Sequence, residues 1–205
     1  YDIFGHLSIR DLSSLVSHWY PHWDNMTFQQ MLARYDVDPK KKYADCSTGT
    51  KKKVDFILAI VHKPLLLLLD EPSAGVDMVS QKKMREDLLK YMENEQNSII
   101  IATHQQEEVQ QICDYICILK QGRLIHSFEK DEAHHRWARI WVSSLPKSLK
   151  QHPNVKEINE HPPQIVTDSL QHIETWLQKE GISVSHIQRL DLNEVIEHCI
   201  LEDRH

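Results

Sequence analysis

The chain has 205 residues, a formal charge of −6, 26% charged and 40% hydrophobic side chains. That length allows one good core or two small ones, and the acidic balance with no basic stripe argues against a nucleic-acid-binding surface. No apolar stretch approaches the ~20 residues of a membrane helix, nothing resembles a signal peptide, and four scattered cysteines suit reduced, buried thiols rather than a metal cage.

Residues 7 to about 45 read as helical. Ser8 with Asp11, and Thr27 with Gln30, each have capping-box spacing. Leu12, Leu15, Val16 and Trp19 share one helical face, Phe28, Met31, Leu32 and Tyr35 another, and Tyr20-Pro21-His22-Trp23-Asp24 breaks the helix between them. Cys46-Ser47-Thr48-Gly49-Thr50 then leads into a helix whose Val54, Ile57, Leu58 and Val61 follow the i, i+3, i+4, i+7 rule. Ser47 fits a cap, the free N–H groups of that first turn make an anion site, and Lys51, Lys52 and Lys53 add positive charge beside it. Taken alone, the same residues better fit an ordinary N-cap followed by a solvated lysine face.

Pro64 precedes the run Leu65-Leu66-Leu67-Leu68-Leu69, which ends in Asp70-Glu71-Pro72. Such a run predicts a central strand covered on both faces of a parallel α/β sheet, with its acidic end where open α/β sheets bind ligands. The first carboxylate suits Mg²⁺ held through water, and the second suits orienting or deprotonating an attacking water. Ser73-Ala74-Gly75-Val76-Asp77 forms a small-residue turn before a helix from about Ser80 to Asn94. A second buried strand, Ser98-Ile99-Ile100-Ile101-Ala102-Thr103, ends at His104, so neighbouring strands bring Asp70, Glu71 and His104 to one sheet edge. A short helix begins at Glu107, residues 115 to 125 read as a hairpin turning at Gly122, and a charged, strand-poor linker runs from about Glu129 to Arg136. Beyond it, strands at 140–142, 155–158, 165–166 and 182–187 and helices at 168–179 and 193–201 predict a second small α/β domain, the first of those helices burying Leu170, Ile173, Trp176 and Leu177 and stopping at Gly181.

Taken in order, DEPSAGVD, IIIATH and the Cys46–Thr50 turn resemble the ATP-binding subunit of an ABC transporter of the ABC-2 exporter type. The resemblance implies an α/β fold: the C-terminal part of a P-loop NTPase domain over residues 1–128, with a helical subdomain at about 7–62 and the Walker B, D-loop and switch-histidine part at about 63–128, then a small α/β domain at 137–205. It implies that Asp70 is the Mg²⁺ carboxylate and Glu71 the catalytic carboxylate, with His104 contacting the γ-phosphate of ATP. Ser47 and Gly49 fall in the signature loop and would reach nucleotide held by a second ATP-binding subunit, in a homo- or heterodimer. Ser73, Gly75 and Asp77 fall in the D-loop at that dimer interface. A transmembrane permease subunit is the other implied partner, holding the protein on the inner face of the cell membrane. Cys46, Thr48 and Thr50 depart from the LSGGQ consensus, and Thr48 would be strained if its place required positive φ.

The phosphate-binding loop G-x-x-x-x-G-K-[ST] does not occur in the sequence, whose five glycines have no such spacing. Residues 1–10 resemble the stretch that follows the family's glutamine loop, so the sequence reads as beginning in mid-domain, and this chain alone is expected to be a very poor ATPase. Two other readings fit: a catalytically silent regulatory or interaction protein built on the same fold, and a non-transport ABC ATPase.

Overall fold

The computed structural model describes residues 2–202, which fall into two compact units divided between Ile112 and Cys113. The first opens with helices α1 (Ile9–Ser17), α2 (Asn25–Arg34) and α3 (Thr48–Ile60). Ser8 caps α1 by accepting from the Asp11 N–H, as its spacing predicts, while its own hydroxyl donates to the Asp11 carboxylate at 2.6 Å. In α2 the cap lies earlier than the expected Thr27: Asp24 accepts from both the N–H and the hydroxyl of Thr27. An ionised carboxylate is a stronger acceptor than a hydroxyl, so the helix starts at the Asp24 cap and Thr27 becomes a third-position donor within the first turn. Phe28, Met31, Leu32, Tyr35, Val54, Ile57, Leu58 and Val61 are buried as read from the periodicity. On α1, however, Ile9, Leu12 and Val16 form the buried stripe, and Leu15 and Trp19 are 40% and 75% exposed; Trp19 lies past the end of the helix, so helical spacing no longer governs where it points.

Strand β1 (Leu66–Asp70) pairs in parallel with β2 (Ser98–Ala102), aligning Asp70 with Ala102. Leu67 and Leu69 join the helical core, with Ile99 and Ile101 packed against it. The expectation that β1 is covered on both faces fails: Leu65, Leu66, Leu68 and Ile100 are 65%, 48%, 66% and 60% exposed. Side chains alternate along a strand, so a layer on one side buries only every second leucine, and no element among the described residues of this unit covers the other side. Between the strands runs α4 (Met78–Met92), capped by Asp77, and after them α5 (Gln106–Ile112).

The second unit begins with the antiparallel hairpin β3 (Tyr115–Lys120) and β4 (Arg123–Glu129). Gln121 and Gly122 at its turn both have positive φ, 50° and 75°, which suits the primed turns that match strand twist. Residues Lys130–Arg136, read as a linker, form the helix α6. Asp131 and Glu132 sit in its first turn and His134, His135 and Arg136 in its last, the charge order that a helix dipole favours. Next come β5 (Ala138–Val142), α7 (Lys147–Lys150), β6 (Val155–Glu160), β7 (Pro163–Thr167), α8 (Leu170–Lys179), β8 (Val184–Arg189) and α9 (Leu192–Glu202). The four strands are antiparallel in the order β6-β7-β5-β8. Run from β5 to β8, that is the split β-α-β-β-α-β arrangement of ferredoxin-like domains. Its core holds Ile140, Leu149, Ile165, Leu170, Ile173 and Leu177, with Trp176 only partly covered.

Candidate functional site

Glu71 is the first residue past β1 and adopts φ 47°, a left-handed conformation uncommon outside glycine and asparagine. Its N–H still donates to the Ala102 carbonyl at 2.8 Å, so the backbone turns while tied to the neighbouring strand. The turn aims its carboxylate at the end of β2. There Oε1 accepts from the His104 backbone N–H at 3.1 Å and meets the ring Nδ1 at 2.7 Å. A carboxylate can only accept, so Nδ1 carries the proton and Nε2 is left at an imidazole whose side chain is 79% exposed. The other carboxylate oxygen, Oε2, is buried without a partner. Strand-end placement thus brings Glu71 and His104 to one sheet edge, as the two apolar runs predict, and the left-handed turn at Glu71 puts them in contact.

The hydrogen bond to Glu71, then its charge and that of Glu108, raise the His104 pKa above the ordinary imidazole value of 6.5. The charged pair is therefore complete below 6.5 and fades as pH climbs through the raised value. In an NMR titration the His104 imidazole is expected to have its midpoint above 6.5 and to return toward 6.5 in Glu71→Gln; a midpoint that ignores the substitution would remove Glu71 as the cause.

Asp70, beside this pair, is exposed, and its carboxylate has no partner among the described residues; its backbone carbonyl accepts from Lys52 Nζ at 3.0 Å. Among the described residues no group of three or more His, Cys, Asp or Glu side chains could hold a metal ion. A single free carboxylate fits a hydrated Mg²⁺ that takes its remaining ligands from water and phosphate, and does not fit an all-protein cage.

Ser47 and Gly49 sit at the start of α3. Ser47 Oγ accepts from the Thr50 N–H at 3.2 Å and shares a hydrogen bond with Thr50 Oγ1 at 2.9 Å, so it is the predicted cap. Thr48 opens the helix without positive φ, and the strain anticipated there does not arise. Gly49 lies against the next segment: an added Cβ would stand 2.5 Å from the Gly75 carbonyl oxygen. Gly75 turns the chain at φ 74°. Ser73 is buried with its Oγ unpartnered, and its carbonyl accepts from Gln81 Nε2 at 3.1 Å. Asp77 caps α4 through the Ser80 N–H at 2.9 Å and pairs with Lys53 Nζ at 2.7 Å. Lys53, then Ser80, hold its carboxyl well below the usual carboxylate range.

The lysine run is therefore not a free positive patch. Lys51 stands over the Tyr43 ring at 5.2 Å, Lys52 reaches the β1 end, and Lys53 reaches Asp77. Sequence reasoning gave these lysines only charge. The usable signal was their place on the helix: Gly49 and Lys53, four apart, share a face. Glu108, almost fully buried on α5 with Oε2 unpartnered, was not singled out, since a Glu-Glu pair at a helix start carries no sign of burial.

An acid-terminated parallel strand beside a strand ending at histidine, with a capped turn laid against the following loop, agrees with the fold of ABC-type P-loop NTPase domains. Residues 24–110 match the family model described as "AAA domain, putative AbiEii toxin, Type IV TA system". The chain is 28% identical over 134 residues to the ABC transporter ATP-binding protein YtrB of Bacillus subtilis (strain 168), covering 65% of this chain and 46% of that protein. It is 38% identical over 110 residues to an uncharacterized ABC transporter ATP-binding protein of Methanocaldococcus jannaschii, covering 54% and 42%. The solved structure of an ATP binding subunit of an ABC transporter superposes with a TM-score of 0.55 at 20% identity, over 85% of this chain and 64% of that one. A dimeric bacterial ABC transporter cassette gives 0.53 at 19% identity, over 61% and 57%. These curated relatives are ATP-binding proteins of ABC transporters, the solved neighbours share the fold, and the chain spans less than half the length of the two curated relatives.

Proposed function

We propose that these residues belong to the ATP-hydrolysing, energy-coupling subunit of an ABC-type exporter. The observation that carries the reading is the Glu71–His104 hydrogen bond at the end of a parallel strand pair, beside a carboxylate with no partner among the described residues. Glu71 keeps one carboxylate oxygen fixed by His104, and the other, buried and unpartnered, takes a proton from the attacking water once nucleotide and water enter the site. His104 contacts the γ-phosphate through its exposed ring. Asp70 holds Mg²⁺ through water, and the ion neutralises charge on the phosphates when bound. Ser47 and Gly49 present the first turn of α3, with its free N–H groups, to ATP held by a second ATP-binding subunit. Ser73, Gly75 and Asp77 form the D-loop at that interface. The relatives' names support a transporter role: one curated relative, 33% identical over 99 residues, is a bacitracin transport ATP-binding protein of Enterococcus faecalis, covering 48% of this chain and 32% of that protein. No helix among the described residues is long and apolar enough to cross a membrane, so the membrane position we propose, at the inner face, comes from a permease partner. No nucleic-acid partner enters this reading.

The 205 residues carry no G-x-x-x-x-G-K-[ST] pattern, and in this reading the triphosphate cage is not among them. Calorimetric titration with MgATP is the test. The 205-residue polypeptide is expected to show no saturable binding, whereas a subunit carrying these residues together with a phosphate-binding loop binds and hydrolyses ATP. No binding by the latter would overturn the reading in favour of a silent interaction protein on the same fold.

A further inference from the structure

Two segments of the first unit, the Ser47–Thr50 turn and the Ser73–Asp77 turn, come from opposite sides of β1 in sequence and meet along one face of α3. Gly49 touches the Gly75 carbonyl so closely that no side-chain atom fits between them. One helical turn further on, Lys53 Nζ pairs with Asp77 at 2.7 Å, and the lysine side chain is only 15% exposed. The same Asp77 carboxylate accepts from the Ser80 N–H, so one acidic group holds the α3 lysine and the start of α4 together. Lys52 adds a tie from α3 to the Asp70 carbonyl. The first two turns of α3 are thus fastened to both ends of the loop that follows β1.

We propose that Lys53 is a positioning residue that joins the Ser47–Thr50 turn to the Ser73–Asp77 turn, so that the two open and close as one unit. The tie stands on contacts within this chain and does not depend on ATP. Its consequence, that both partner-facing segments keep a fixed spacing, rests on the reading above. A freely exposed lysine–carboxylate pair contributes little because both side chains stay mobile and solvated. Here the lysine is mostly covered and Asp77 is fixed by its cap, so less ordering remains to be done when the pair forms.

Amide hydrogen exchange on the 205-residue chain tests this. Asp77→Asn keeps a capping side chain and removes the charge, and it is expected to speed exchange of the hydrogen-bonded amides of residues 50–53 and of the 73–77 turn together by about fivefold, the weight of one partly covered ion pair. Lys53→Ala should do the same, Lys53→Arg should restore most of the protection, and Lys53→Ala added to Asp77→Asn should add nothing further. Lys82→Ala, an exposed lysine on α4, serves as the control and should leave both segments unchanged. Exchange that rises in one segment only, or additive effects of the two substitutions, would overturn the coupling. If Lys53→Ala does not fold, Asp77→Asn against Lys53→Arg still decides the question.

Discussion

Glu71→Gln, in a subunit that carries these residues with a phosphate-binding loop, is expected to reduce ATP turnover at least ~100-fold while leaving ATP bound. The size follows from what the substitution removes. In the structure the two oxygens of Glu71 have different surroundings: Oε1 is held by two N–H groups of His104, and Oε2 is buried with no partner. Glutamine can place its carbonyl at the first position and keep both contacts. Its amide nitrogen then occupies the second, where it can donate but cannot take a proton from water. A 100-fold loss corresponds to about 2.7 kcal/mol of barrier, a reasonable share for one general base. The measurement is steady-state hydrolysis beside retained nucleotide after gel filtration. Trapped ATP in a dimer with slow turnover supports the role. Turnover within a few-fold of the unsubstituted subunit would remove Glu71 as the base and leave its contact with His104 structural.

The features that carry this argument were legible in the chain for a simple reason. Leu65–Leu69 and Ser98–Thr103 are apolar runs bounded by polar residues, so their ends could be located, and parallel pairing then sets Asp70 level with Ala102. What lies past the ends follows from chain connectivity alone. The left-handed turn at Glu71 was not legible, because nothing in Asp-Glu-Pro signals positive φ, and that turn is what brings the carboxylate to His104. Burial was misread on β1 for a related reason. A run of five leucines shows no alternation, yet Leu67 and Leu69 are covered and Leu66 and Leu68 are not, a difference set by which side the helices occupy. Caps were half legible: Ser8 was found, but Asp24 preceded a Thr–Gln pair of equally good spacing and took the donors instead. Helix α6 was hidden by its charge, since Lys-Asp-Glu-Ala-His-His-Arg buries little beyond Ala133. The lysines of α3 show the limit most clearly. Their charge is visible in sequence, whereas its destination, an aromatic ring, a carbonyl and a carboxylate, is a property of the packed unit.

Gly49→Ala is expected to destabilise the first unit by about 1–2 kcal/mol, despite alanine's better helix propensity. Two effects oppose each other. Alanine gains up to about 1 kcal/mol over glycine inside a helix, and less in a first turn where the chain is only partly constrained. Against this, the new Cβ would lie 2.5 Å from the Gly75 carbonyl oxygen and 3.5 Å from both the Gly75 carbonyl carbon and the Val76 Cα. The near atom is backbone, so no rotamer change relieves it, and either α3 or the loop after β1 has to move. Overpacking of this kind costs about 1–3 kcal/mol, which exceeds the gain. Gly75 provides the internal comparison. A Cβ there meets nothing within 4 Å, so Gly75→Ala pays only for φ 74°. Asparagine tolerates that conformation better than other side chains, so Gly75→Asn should recover most of the loss. No side chain should recover it at position 49. Thermal denaturation of the four variants, Gly49→Ala, Gly49→Asn, Gly75→Ala and Gly75→Asn, separates the two causes. A Gly49→Ala midpoint at or above that of the parent chain would show that the two turns are not held in contact, and would also remove the close approach on which their coupling through Lys53 depends.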